Sequence, residues 1–264
     1  MTSPRRPFAA VVLPVALAAL AVLASCASES PAAPAGSGAG AASASTSAAP
    51  ASPAAPAITP PSALEDAYAA LGRAGTCHVF ALDPAASTVR IHVFRDGRAA
   101  RLGHNHVLAA PRFRGFACVP AAPADARFDL VFRLDELTFD DPAHRALLGP
   151  AYASLLSAEA IAGTREHMLG ESNMQADRFP EVRIHAVQVS GEGPRLAARI
   201  AVTLHGQTRE QSVPLRVAGL PGQLQVAGSF VLRQTDFGIA PYSVAGGLLA
   251  VKDEVVVDFE LAGR

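Results

Sequence analysis

The sequence predicts an all-β fold: a closed antiparallel barrel of about eight strands carrying one short helical insertion. Three observations carry this. Between Arg195 and Arg233 apolar residues recur at every second position (Leu196, Ala198, Ile200, Val202, Leu204; then Val213, Leu215, Val217; then Leu224, Val226, Phe230, Leu232), with breaks at Gly206–Arg209 and Gly219–Gly222. The segment Glu254–Leu261 alternates again, with Val255, Val257, Phe259 and Leu261 against Glu254, Asp258 and Glu260. The period fails only once, over Asp140–Gly170. Strict alternation means strands with one dry face and one wet face, and dry faces this apolar must close on one another.

In chain order, Met1–Cys26 reads as an export signal. Arg5 and Arg6 open it, Phe8–Leu23 form an apolar stretch, and Leu23-Ala24-Ser25-Cys26 closes it. That ending resembles the lipobox of bacterial lipoproteins, which makes Cys26 the expected lipidation site and places the chain in a bacterial envelope, facing the periplasm or exterior. A plain signal peptide or a single anchor is the alternative, although the stretch is short for a membrane span and contains Pro14. Several acyl chains on one terminus would hold the protein stably at a membrane. Residues 27–61 are nearly all Ala, Pro, Ser, Gly and Thr, and so are expected to be a disordered linker.

The folded domain is expected over 62–264, beginning with a helical extension over 62–76. Ser62–Gly72 starts on a capping residue, ends on glycine, and puts Leu64, Tyr68 and Leu71 on one face. Strands follow from Phe80. Ser87–Phe94 sets Val89, Ile91 and Val93 against Arg90 and His92. Val107–Val119 forms a second, kinked at Pro111 and Gly115, and Arg127–Leu137 a third. In the insertion (140–170), Asp141-Pro142 is a cap with a first-turn proline, Pro150 interrupts, and Ser157–Leu169 is a second helix. Strands resume after Phe179-Pro180. Cys77 and Cys118 remain once Cys26 is lipidated; a disulfide and two buried thiols are equally compatible with their positions.

Bulk properties exclude little but exclude it firmly. The 264 residues carry a formal net charge of −1, with Lys252 the lone lysine, so there is no basic stripe for nucleic acid. A Gly-x-Ser-x-Gly elbow, a phosphate loop, a His-Glu-x-x-His zinc helix and a dinucleotide glycine pattern are all missing. Catalysis is therefore the poorer expectation.

The landmarks together resemble the YceI-like family of lipocalin-like barrels, which bind polyisoprenoids and other amphiphiles. The matching pieces are Leu82-Asp83-Pro84-Ala85-Ala86-Ser87, Phe113-Arg114-Gly115-Phe116, Arg178-Phe179-Pro180, Leu204–Arg209, Phe230–Ile239 and Lys252-Asp253-Glu254-Val255. The resemblance implies an eight-stranded lipocalin-like barrel housing a long apolar chain such as an isoprenoid, quinone or fatty acid, with no resident cofactor. Small residues at Ala198 and Gly228 would leave room. A ten-carbon tail buried there would gain roughly 8 kcal/mol before ordering costs. The expected tail contacts are Phe113, Phe132, Ile200, Val202, Phe230 and Phe237.

Expected headgroup contacts are His104, His106, Arg233 and Asp236. Arginine's planar fork suits a carbonyl or phosphate, but Arg233 and Asp236 also read as an ion pair fixing a tight turn before Gly238. His104 and His106 stand i, i+2 in Arg101-Leu102-Gly103-His104-Asn105-His106, a departure from the plain family pattern. On a strand both rings share one face and could hold a metal or haem iron, with His92, His144, His185 or His205 as a third ligand. Two ligands fall short of the usual three or four, so a polar lining at the barrel mouth is the main reading and an envelope redox or stress protein the alternative. A monomer or homodimer is expected.

Overall fold

Strands β7 (Glu181–Glu192), β8 (Arg195–Leu204), β9 (Gln207–Ala218) and β10 (Leu224–Arg233) form the meander that the alternation demands, each antiparallel to the next. The computed structural model describes residues 61–122 and 125–264. The expected leader, Cys26 and linker lie outside the described residues, save Pro61, which begins a helix rather than ending the linker.

Helix α1 (Pro61–Arg73) precedes β1 (His78–Ala81), β2 (Thr88–Asp96), β3 (His106–Ala109), β4 (Arg114–Val119), β5 (Arg127–Arg133) and β6 (Thr138–Phe139). The insertion contributes α2 (Pro142–Leu147), a 3-10 turn at Pro150–Tyr152 and α3 (Ala158–Leu169). After β10 come a short β11 (Ser243–Val244) and the long β12 (Leu249–Gly263).

The described residues thus hold twelve strands in place of eight. One of the extra four is the short β11, which pairs only with β12, and the other three arise because long runs are cut. A 3-10 turn at Pro84–Ala86, capped by Asp83, separates β1 from β2; a gap at 110–113, with Pro111, separates β3 from β4; a second 3-10 turn at Leu134–Glu136 separates β5 from β6. Yet the same two runs stay paired across each cut: β1 with β4 and β2 with β3, then β4 with β5 and β3 with β6. Three broken runs plus β7, β8, β9, β10 and β12 make the wall. It closes where β12 pairs with β2 and, further along, exchanges Ala81 N–H to Arg264 O (2.9 Å) and Arg264 N–H to Ala81 O (3.1 Å). Closure leaves few open sheet edges.

The turn between β8 and β9 is tighter than the sequence suggests. His205 (φ 50°) and Gly206 (φ 71°) alone make it, and Gln207–Arg209 already belong to β9. Two successive positive φ values match the twist of flanking strands. A Cβ on Gly206 would sit 2.7 Å from Cε1 of Phe179, so the family-like Arg178-Phe179-Pro180 packs on this turn. Gly115, expected as a kink, lies inside β4, where its missing side chain admits Leu82.

On the outside, α1 is fastened by Tyr68, which is buried, stacks on Phe116 and donates its hydroxyl to Asp129 Oδ2 at 2.7 Å. Cys77 and Cys118 form a disulfide joining the segment before β1 to β4, with Cα atoms 5.5 Å apart.

Candidate ligand-binding site

Inward residues of the wall enclose two apolar cavities in series. The larger, of about 450 Å³, lies at the end roofed by α3 and is walled by side chains such as Ile91, Leu108, Phe132, Val202 and Phe237. The smaller, of about 170 Å³, lies towards Leu196, Ile200, Val213, Leu224 and Phe128. Val89, Ile184, Phe230 and Val257 border both and make a waist between them. Sites of a few hundred Å³ lined mainly by apolar groups suit small organic ligands.

Room does not come from the small residues expected to supply it. Ala198 is fully buried in the packed wall, and a Cβ on Gly228 would lie 2.6 Å from Cζ of Phe259, whose ring covers that spot. Neither borders a cavity. Among the expected tail contacts, Phe132, Val202 and Phe237 border the large cavity, Ile200 the small one and Phe230 both. Phe113 is instead buried in the packed core.

The headgroup candidates separate. Arg233 reaches the rim of the large cavity but pairs with Glu254 (3.1 Å), not with Asp236. Asp236 is exposed and borders neither cavity, and the ion pair with Arg233 expected for it does not form. His104 is also off the cavity walls. Its Nδ1 is buried without a hydrogen-bond partner, and burial pulls the ring below the ordinary histidine value, with the charges of its neighbours adding to this.

His106 is on the wall of the large cavity, because β3 turns His106 and Leu108 inward and Val107 outward. Its ring is anchored from behind. Nδ1 lies 2.6 Å from Oδ2 of Asp140, whose side chain is completely buried. Asp140 adopts a positive φ of 50°, turning its carboxylate back onto β3, where Oδ1 accepts from the Val107 N–H at 3.0 Å. Arg145 of α2 donates to the same carboxylate at 2.5 Å and to the Asn105 carbonyl at 2.8 Å. Burial pushes the Asp140 carboxyl up, but the bonds from His106, Val107 and Arg145 outweigh it and hold the group below the usual aspartate range.

The sequence alone does not reveal this network. Asp141 is the expected cap, accepting from the Ala143 and His144 N–H groups, whereas its neighbour Asp140 is interior. A second bridge from the insertion lies beside it on the outer face of the barrel. The Tyr152 hydroxyl, pushed up to about 12 by burial, meets Nδ1 of His92 at 2.8 Å, and Nε2 of His92 bonds Asp258. Asp258 also pairs with Arg90 at 3.3 Å. The insertion is therefore tied to β2, β3 and β12, and α3, capped by Ser157, is delivered over the cavity, where Gly163, Thr164, His167 and Met168 face the space.

For metal, the arrangement offers little. His106 commits Nδ1 to Asp140, His92 is bonded at both nitrogens on the outer face, His185 pairs with Asp129 (2.8 Å), and His205 bonds the Phe237 carbonyl (3.0 Å). Among the described residues no group of three or more His, Cys, Asp or Glu is placed to hold an ion.

The family model of the YceI-like domain matches residues 80–262. The chain belongs to the YceI-like family. That span takes in every strand of the closed wall except the first two residues of β1 and the last of β12. Of solved structures, BcnA of Burkholderia cenocepacia superposes with a TM-score of 0.51 at 14% identity, covering 69% of this chain and 99% of that one. A YCEI protein of Campylobacter jejuni aligns with a TM-score of 0.42 at 10% identity, over 58% of this chain and 81% of that one. At these identities the first likeness is one of fold, and the second adds nothing to it. No curated protein matches the sequence. YceI-like proteins are barrels that bind hydrophobic small molecules, and the cavities described above give this member the means.

Proposed function

We propose that this protein is a carrier that sequesters one long-chain amphiphile (isoprenoid, quinone or fatty-acid-like) inside its barrel, while a lipid on Cys26 tethers it to a membrane of the bacterial envelope. The observation that carries the reading is the pair of apolar cavities meeting at the Val89, Ile184, Phe230 and Val257 waist. An interior of that shape takes an extended tail. Of the polar residues that border it, Arg127 belongs to the smaller cavity, whereas His106, Asn173, Arg233, Gln234 and Tyr242 belong to the larger, so a headgroup would sit in the larger and the tail would run through the waist. Burial of the tail supplies the affinity, at about 25 cal/mol per Å² removed from water, less the cost of ordering the chain.

The tether rests on the lipobox-like Leu23-Ala24-Ser25-Cys26 and on the linker composition. A linker of that kind lets the barrel sit off the bilayer and reorient.

Native mass spectrometry of the purified protein, followed by organic extraction, tests the carrier. A co-purifying amphiphile, or stoichiometric uptake of an added one, is the expected result; a barrel that takes up no hydrocarbon chain of any length sinks the proposal. Labelled palmitate incorporation in wild type and in Cys26→Ser tests the tether separately.

A further inference from the structure

The polar residues on the large cavity differ in what they have left to offer. Thr164 donates its hydroxyl to the Ala160 carbonyl (2.9 Å), Asn173 its amide to Ala240 O (3.1 Å), Gln234 its amide to Lys252 O (2.8 Å), and Arg233 is held by Glu254. His167 and Tyr242 meet edge to face, ring centroids 4.5 Å apart, both open to solvent. His106 is the case where one ring nitrogen is fixed and the other is spare. Only 17% of its side chain is exposed.

A carboxylate accepts hydrogen bonds and donates none, so in the neutral ring the proton facing Asp140 must sit on Nδ1. Asp140 is kept ionised by Arg145 and the Val107 N–H, which makes that tautomer the stable one. Nε2 then carries a lone pair. It makes no hydrogen bond among the described residues, and its ring borders a cavity whose walls are mainly apolar. A buried acceptor discriminates in one direction: it gains from a donor, and it is penalised by any ligand that dries it without supplying one.

We propose that the head end of the ligand carries a hydroxyl group, as in a long-chain alcohol or a phenol, and donates it to Nε2 of His106. This rests on the carrier reading above and narrows it: ethers and plain hydrocarbons of the same length fit the space but leave the acceptor unmet. Asp140 and Arg145 touch no ligand; they position His106 and choose its tautomer.

The test uses the full chain, emptied of co-purifying lipid, at pH 8. Geranylgeraniol and its methyl ether are titrated separately, followed by displacement of a fluorescent fatty acid. The alcohol is expected to bind about tenfold more tightly, and the gap to vanish in His106→Phe while tail binding persists. Should His106→Phe not fold, nitrogen-15 NMR of the wild type serves: the alcohol, and not the ether, should shift His106 Nε2 as a newly bonded acceptor. Equal binding of the two ligands overturns the hydroxyl assignment and leaves the carrier intact. Binding of neither removes the carrier itself, and this assignment with it.

Discussion

Arg145 reaches from the inserted helix α2 to the interior carboxylate of Asp140, 2.5 Å away, and both side chains are almost wholly removed from solvent. Two opposite charges buried in this way are tolerated because each is also bonded elsewhere: Arg145 to the Asn105 and Ser154 carbonyls, Asp140 to Val107 and His106. Removing one partner strands the other. Arg145→Met should destabilise the domain by about 3–5 kcal/mol, whereas Asp140→Leu combined with Arg145→Met should cost less than either single change. Urea unfolding of the three variants measures this.

The same carboxylate makes stability depend on acid. Asp140 and Asp258 both titrate below the usual aspartate value when folded, Asp258 because its bonds to His92 and its pairing with Arg90 outweigh burial. A depressed carboxyl stabilises the fold above the unfolded value of about 4, and that contribution fades as pH drops through the lower folded value. Thermal midpoints should fall steeply below about pH 4. Asp140→Asn, already lacking that carboxylate, should show a shallower acid limb; an identical limb would assign the effect to other groups.

Occupancy should respond to bulk inside the wall and not outside it. Val202 borders the large cavity, while Val231 stands half exposed on the outer face of β10. Val202→Trp is expected to reduce tail uptake at least tenfold, and Val231→Trp to leave it unchanged, by displacement of a fluorescent fatty acid.

The Cys77–Cys118 disulfide spans 41 residues. By chain entropy it should contribute about 4 kcal/mol. Denaturant midpoints with and without reductant, compared with the Cys77→Ser, Cys118→Ser double variant, give the value directly.

Alternation over β8, β10 and β12 revealed which side chains face the lumen, because a period of two leaves no other assignment. It could not show how the runs are cut. The breaks at Pro84–Ala86 and Leu134–Glu136 are single 3-10 turns that shift direction without ending the pairing. The site was legible only where a residue's role follows from its own strand. His106 on the cavity wall and Val202 in the lumen are of that kind. Asp140, Arg145, Tyr152 and His92 are not, since their roles depend on partners from other elements: Asp140 meets His106 34 residues away, and Tyr152 meets His92 60 residues away. Asp140 in particular is turned inward at a positive φ while its neighbour Asp141 caps α2 in solvent, a difference that nothing in the pair of letters betrays.

Val89, Ile184, Phe230 and Val257 line both cavities, so on the carrier reading they would sort cargo by stiffness as well as by length. A limp hydrocarbon thread would pass between them segment by segment, whereas a rigid plate such as a sterol nucleus would be stopped at the first chamber. What the barrel accepts would then be decided halfway down its bore, far from whatever the head end offers.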